Sequence, residues 1–476
     1  MPNPLETAEL TRRVLLRRAA AAGLVAGPAG GLLAGCATAG GETEDAERGG
    51  KSAKNPLGVP ETAALEVVIF NGGFTDKYAK DLHEPLYKKA FPKAQIKHST
   101  TEEIAKTLQS RFVSGSPPDV VNNSGANQMD PGKLAAESQL FDLTPLLDAP
   151  SVDDPKVKIR DTLISGTVEL GTYDSKPLVL NYAYTVFGIW YSKSLFDKNG
   201  WEFPKTWADM VTLCKEIKQA GMAPWTYQGK HPRYMNWPLL SMATKLAGPD
   251  ILVKIDNLEP GAWKHEAIKE SATRLYELRK QGFILKGTEG MDHVQAQTAW
   301  TEGKAAFVPC GSWLENEQKD TTPDGFEMSV APEPQLSEGG ALPYEAVRAT
   351  AGEPFIVPTK AKNPYGGLEY LRQMLSKEGA SGFTGMVSSL TAVQGAADGL
   401  SLPPGLASAA AVLKAAGDNV FNWRYPSWYL PMENPAIDAA TGDLLTNRIT
   451  PDEWIDKCEE AAKKIRDDDS VKKYTR

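Results

Sequence analysis

The stretch KPLVLNYAYTVFGIWYSK, residues 176–193, is rich in β-branched and aromatic residues and lies where a linker would be expected. Before it, Leu65–Phe70 reads as a strand ending at Asn71-Gly72-Gly73, followed by a helical segment near 76–90 and a second strand over Gln95–Thr100. TEEIAKTLQSRF then places Ile104, Leu108 and Phe112 on one helical face, with Thr100 and Glu103 at capping-box spacing. PDVVNN is a third strand. After the stretch comes FPKTWADMVTLCKEIKQAG, a helix expected to be capped by Thr206, to bury Met210, Cys214 and Ile217, and to stop at Gly221. AAFVPCGSW, MSVAPEPQ and GEPFIVPTKAKNP are further apolar runs bounded by Pro and Gly. Thr450, Pro451 and Glu453 open a last helix. Strands alternating with helices on both sides of residues 176–193 predict an α/β fold with a largely parallel sheet. In such sheets ligands bind beyond the carboxyl ends of strands, here Asn71–Phe74 and Asn122–Asn127.

The 476 residues are 41% hydrophobic and 24% charged, and their net charge is −8. That balance leaves no basic excess to neutralise phosphates, which excludes a nucleic-acid partner. The N-terminal segment is basic and then apolar. Arg12, Arg13, Arg17 and Arg18 precede an Ala/Gly/Leu run that ends in Leu33-Ala34-Gly35-Cys36. This is the order of an export signal (residues 1–35) with a twin-arginine-like pattern and a bacterial lipobox, and it makes Cys36 the diacylated residue. Residues 36–60, rich in Gly and charge, read as a flexible tether. Together these features place the body outside the cytoplasmic membrane, anchored by lipid rather than spanning it.

Cys214, Cys310 and Cys458 remain. Any two of them could pair, but Cys214 and Cys458 sit on apolar helix faces and read as buried thiols. The motifs G-x-S-x-G, H-E-x-x-H, G-x-x-x-x-G-K-[ST] and G-x-G-x-x-G do not occur, and the five histidines lack metal-ligand spacing. No metal and no cofactor are expected. A carboxylate pair for glycoside hydrolysis is not singled out.

The tryptophans carry more information. Trp190, Trp207, Trp300 and Trp454 lie in strands or capped helices and read as core. Trp237 and Trp313 follow a loop and a strand end, and Trp423 and Trp428 lie in the loop NVFNWRYPSWYLPMEN. Such rings either plug the core or stack on the C–H face of a sugar, and the residues alone leave both open.

FGIWYSKSLFDKNGWEFPKTWADM, TAWTEGKAAFVPCGSWLEN and ITPDEWIDKCEEAAKKI resemble stretches of the sugar-binding proteins of ABC importers, the group that includes maltose-binding proteins. The signal and RYPSWY…GDLLTNRITPDEW are most similar to the actinobacterial N-acetylglucosamine/diacetylchitobiose-binding lipoproteins. The resemblance spans residues 61–476. It implies a two-lobed periplasmic-binding-protein-like fold, its lobes joined by hinge strands around a ligand cleft. Lobe 1 would be residues 61–180 with 348–395, and lobe 2 residues 185–345 with 400–476. It also implies a monomer without catalytic residues, whose partners are a carbohydrate, the transmembrane subunits of a permease and, through Cys36, the membrane. By the same resemblance Trp313, Trp428-Tyr429, Tyr234, Asn236, Trp237 and the loops holding Asn71, Phe74, Asn122 and Asn123 face the sugar, as do Glu353 and Trp423. NNSGAN lacks the aromatic and charged residues of maltose-binding relatives, which suits an acetamido sugar. The alternatives are another oligosaccharide, a different solute, or a secreted glycan hydrolase.

Overall fold

The computed structural model describes residues 48–476, so the expected signal and Cys36 lie outside the described residues. Strand β1 (Leu65–Phe70) lies parallel to both β2 (Ile96–Thr101) and β3 (Val120–Asn122). Helix Ile104–Ser114 makes the return between the last two, burying Ile104, Leu108 and Phe112 as their spacing predicts. The expected capping box is absent there. Thr100 lies inside β2, and the Thr101 hydroxyl instead accepts from the Glu103 N–H at 3.1 Å.

Apart from a two-stranded ribbon of Thr172–Tyr173 with Lys176–Pro177, the remaining strands are β4 (Leu180–Ser192), β5 (Ala223–Trp225), β6 (Ala305–Gly311), β7 (Met328–Ala331), β8 (Val347–Ile356), β9 (Leu390–Thr391) and β10 (Val420–Phe421). All join one sheet whose main path runs β2-β1-β3-β8-β4-β6-β5. Within residues 176–193, Leu180–Ser192 forms β4, thirteen residues long, or about 40 Å at the rise of an extended chain. Its first part pairs antiparallel with β8, from Leu180↔Phe355 to Val186↔Ala349. Its second part leaves β8 for β6, from Phe187↔Gly311 to Trp190↔Val308, and for β7, from Ile189↔Ala331 to Ser192↔Met328. Strand β8 reaches β3 at Phe355↔Asn122 and β10 at Val347↔Val420. Two continuous strands therefore serve both lobes, which is why residues 176–193 carry a strand composition where a linker was expected.

One core sits on Leu65, Val67 and Ile69 with Tyr87, Leu146, Leu371 and Phe383. A second begins under Val68, Val121 and the face of helix Ile104–Ser114 and continues through Trp190 and Trp225 to the large helices beyond β4. All eleven tryptophans lie at or after Trp190. Helix Trp207–Gln219 is capped as expected, the Thr206 hydroxyl accepting from the Asp209 N–H at 3.2 Å. The capping box of Thr450 and Glu453 is likewise present at helix Pro451–Asp467. Cys214, Cys310 and Cys458 are buried free thiols, and burial pushes Cys214 up to about 12. Among the described residues no helix is long and apolar enough to cross a membrane.

The tether expectation needs correction over its second half. Residues 48–60 are ordered: Leu57 and Val59 are buried in the first core, and the Gly49 N–H donates to the Gly58 carbonyl at 2.7 Å. Asn55 clips the turn through both ends of its amide, to the Val59 carbonyl and N–H. A polar, Gly-rich composition concealed two apolar anchors, and these suffice to dock the segment.

The chain leaving the loop after β1 is held by His98 on β2, whose ring lies 3.0 Å from Asp76 and 2.5 Å from Glu84. The hydrogen bond to Glu84 dominates, and the imidazole pKa is raised. A raised folded-state value means that the stabilisation is complete below the unfolded value near ~6.5 and is lost as pH rises through the folded value. His98→Asn should therefore cost more stability at pH 6 than at pH 9, as urea unfolding at the two pH values would show.

Candidate functional site

The candidate site gathers side chains around β4 and β8, the two strands that change pairing partners along their length. On the lobe 2 side, Trp313 follows β6 and folds back over Gly311. A Cβ at Gly311 would come within 2.1 Å of the indole, so glycine is what permits this approach. Trp313 meets Phe187 of β4 edge-on at 5.7 Å and Trp237 at 5.8 Å, and Trp237 lies 4.1 Å from Tyr234. Phe187 and Trp237 close the group at 4.8 Å. Trp313 alone in this wall is half-buried, and it touches apolar residues of both cores.

Arg348 of β8 lies under the wall. Its guanidinium carbon is 3.9 Å from the ring centres of both Phe187 and Trp423. Its Nε donates to the Asn422 amide oxygen at 3.0 Å, and Asn422 donates in turn to the Thr350 hydroxyl at 3.0 Å. Burial lowers the Arg348 pKa to about 10. Glu433, half-buried, acts on both Arg348 and Arg233 through space, while burial raises its own pKa.

On the lobe 1 side, Asn122 at the end of β3 donates to Glu353 at 3.1 Å and to Ser124 at 3.3 Å. Glu353 is half-buried and sits at φ +51 within β8, a conformation that non-glycine residues adopt at a cost of about 1–2 kcal/mol. Burial raises its carboxyl pKa, although Ser124 and Asn122 pull the other way. At one rim the Asn316 amide donates to the Gly73 carbonyl, and Glu317 lies against Gly73 while accepting from Gln297 at 2.6 Å. Asn71 is half-buried in that loop. At the other rim Tyr474 joins the lobes. Its N–H donates to the Tyr429 hydroxyl at 2.7 Å, its carbonyl accepts from that hydroxyl at 3.1 Å, and its own hydroxyl donates to the Gly132 carbonyl at 3.0 Å.

The structure groups Tyr234, Trp237 and Trp313 beside Phe187, stacks Trp423 on Arg348 and joins Asn122 to Glu353, all along β4 and β8, and redistributes the other candidates. Phe74 is 7% exposed and packs edge-on to Phe383 in the lobe 1 core. Asn123 is a staple, with its amide nitrogen on the Met129 carbonyl and its amide oxygen on the Met129 N–H, both at 2.9 Å. Asn236 lies beneath the wall, its oxygen accepting from Thr441 at 2.7 Å. Trp428 and Tyr429 are enclosed at the rim, with Trp428 5.8 Å from the Tyr474 ring. Ser124 lies in the expected Asn122–Asn127 loop, whereas Phe187, Arg348, Glu317, Glu433 and Tyr474 were not singled out from sequence. Phe187 reads as one more strand residue, and nothing near Arg348 or Glu433 in the chain marks them as meeting.

Aromatic faces beside amide, carboxylate and guanidinium groups make a binding surface, and among the described residues no cluster could hold a metal ion. The chain belongs to the bacterial extracellular solute-binding protein family, whose pattern it matches over residues 71–381. It is 36% identical to the diacetylchitobiose-binding protein NgcE of Streptomyces coelicolor, across 98% of this chain and 99% of that one. It is 24% identical to the multiple sugar-binding protein of Streptococcus mutans over 54% of this chain and 59% of that one. Among solved structures, a chitin oligosaccharide binding protein superposes with a TM-score of 0.67 at 19% identity, covering 82% of this chain and 94% of that chain. The apo form of RafE from Streptococcus pneumoniae gives 0.65 at 19%, covering 85% and 98%. Both have the two-lobed fold found here. Family membership makes this chain a solute-binding protein of an ABC importer and sets aside the hydrolase alternative.

Asn123→Ala strands two buried backbone groups of Met129, so it should cost about 1–3 kcal/mol of unfolding free energy, measurable by urea titration. Asn71→Ala, in the half-buried loop, should stay within about 0.5 kcal/mol.

Proposed function

We propose that this protein captures an acetamido sugar, N-acetylglucosamine or diacetylchitobiose, outside the cytoplasmic membrane and passes it to an ABC permease. The observation that carries this reading is that an aromatic group, Trp313, Trp237 and Tyr234, and a hydrogen-bonding group, Asn122, Ser124 and Glu353, both lie along the shared strands β4 and β8. Rings suit the apolar faces of a sugar, and amide and carboxylate groups suit its N–H and O–H donors. The full-length likeness to a diacetylchitobiose-binding relative supports the same ligand. The site in this reading comprises Asn71, Asn122, Tyr234, Trp237, Trp313, Glu353 and Trp423, with Trp428 and Tyr429 shaping the rim. Lobe boundaries near 61–180 with 348–395 and 185–345 with 400–476 accord with the pairing switch along β4. The signal and lipobox support a monomer tethered through a diacylated Cys36 on the outer face of the membrane. The lobes close as a hinge, and ligand favours closure by touching both of them.

Calorimetry with N-acetylglucosamine, diacetylchitobiose, maltose, xylobiose and cellobiose tests the ligand. Saturable heat with an acetamido sugar is expected, and binding confined to maltose would overturn the choice. Trp313→Ala should weaken binding about tenfold or more, or ~1.4 kcal/mol, in protein that still unfolds cooperatively, although its lost packing on Phe187 and Trp237 should lower the thermal midpoint.

A further inference from the structure

The hinge holds a cation whose hydrogen bonds are incomplete. Arg348 is 8% exposed, and its Nη1 is buried without a hydrogen-bond partner. The carboxylates of Glu433 and Glu333 act on it only through space. The Trp423 ring that stacks on it is 2% exposed, and its indole N–H is also buried without a partner. Two orphaned donors on stacked side chains are costly, since each buried unpaired polar group forgoes the hydrogen bonds it makes in water. Arg348 lies one residue beyond the last β4–β8 pair, Val186↔Ala349, and its own backbone partner is Phe421 of β10. Phe187 and Trp423 clamp the guanidinium plane and Asn422 fixes its Nε, so the remaining N–H groups are held in a set direction. The same Phe187 ring touches Trp237 and Trp313, which places these donors at the floor of the aromatic wall.

We propose that Arg348 is a specificity-determining residue of the cleft and that, with the Trp423 indole N–H, it takes the carbonyl oxygen of the ligand's acetamido group. The assignment rests on the acetamido-sugar reading above. A carbonyl oxygen is a neutral acceptor, and a hydrogen bond to it from a charged guanidinium is stronger than one between neutral groups. A sugar carboxylate would also accept, but the half-buried Glu433 disfavours a second anion beside it. A free amino sugar would bring its ammonium against the guanidinium, so the deacetylated disaccharide is rejected.

Isotope-edited infrared spectroscopy of the intact protein with diacetylchitobiose carrying ¹³C at the acetamido carbonyls tests this directly. In the wild type a carbonyl band should move to lower frequency on binding. Arg348→Gln should weaken affinity about 10- to 100-fold, the span expected for a hydrogen bond to a charged group, and at saturating sugar the band should lose that shift. Arg348→Lys keeps the charge but not the clamped plane, and should not restore it. Should Arg348→Gln fail to fold, Asn422→Ala releases Nε while leaving the guanidinium in place, and it should reduce both affinity and shift. A folded Arg348→Gln that retains the band shift, whether its affinity falls or not, overturns this assignment and leaves the sugar reading standing. A wild type that does not bind diacetylchitobiose overturns both.

Discussion

Strands β4 and β8 must satisfy their backbone hydrogen bonds twice, with different partners at each end. Every buried peptide group needs a partner, and β4 obtains its own from β8 over Leu180–Val186 and from β6 and β7 over Phe187–Ser192. The change of partner fixes where one lobe stops and the other begins. It also fixes where side chains from both lobes converge, because Phe187, Arg348 and Glu353 all lie on these two strands. The cleft is thus a consequence of pairing.

Much of the architecture was legible because it rests on local signals. The helical faces at Ile104 and Met210, the caps at Thr206 and Thr450, and the β character of residues 176–193 all follow from nearest neighbours in the chain. The site was legible only where a residue type carries its own meaning, as Trp313 does after a strand end. Arg348 and Trp423 are 75 positions apart and meet only because β10 pairs beside the start of β8. No local pattern encodes that encounter. Asn122 and Asn123 make the same point from the other side. They are adjacent and chemically identical, yet strand alternation sends one amide to Glu353 and the other to the Met129 backbone. The ordered half of the tether was hidden for a related reason, since two apolar residues are too few to raise a compositional signal.

Glu353 combines three costs at one position: left-handed backbone, a half-buried carboxylate and a place in a strand that both lobes share. Backbone strain of this kind persists only where its surroundings over-determine it. Here the Asn122 and Ser124 side chains and the flanking pairs Gly352↔Ala183 and Pro354↔Asn181 do so. The loop after β3 and the hinge are therefore set by one carboxylate.

The placement of the tryptophans has an optical consequence. Since all eleven lie at or beyond Trp190, excitation of indole illuminates chiefly the β4–β7 side of the molecule, with Trp313 and Trp428 bordering the β1–β3 side. An emission change on unfolding or closure is therefore weighted to one side, and the interior of the other is read better through its tyrosines or its backbone circular dichroism.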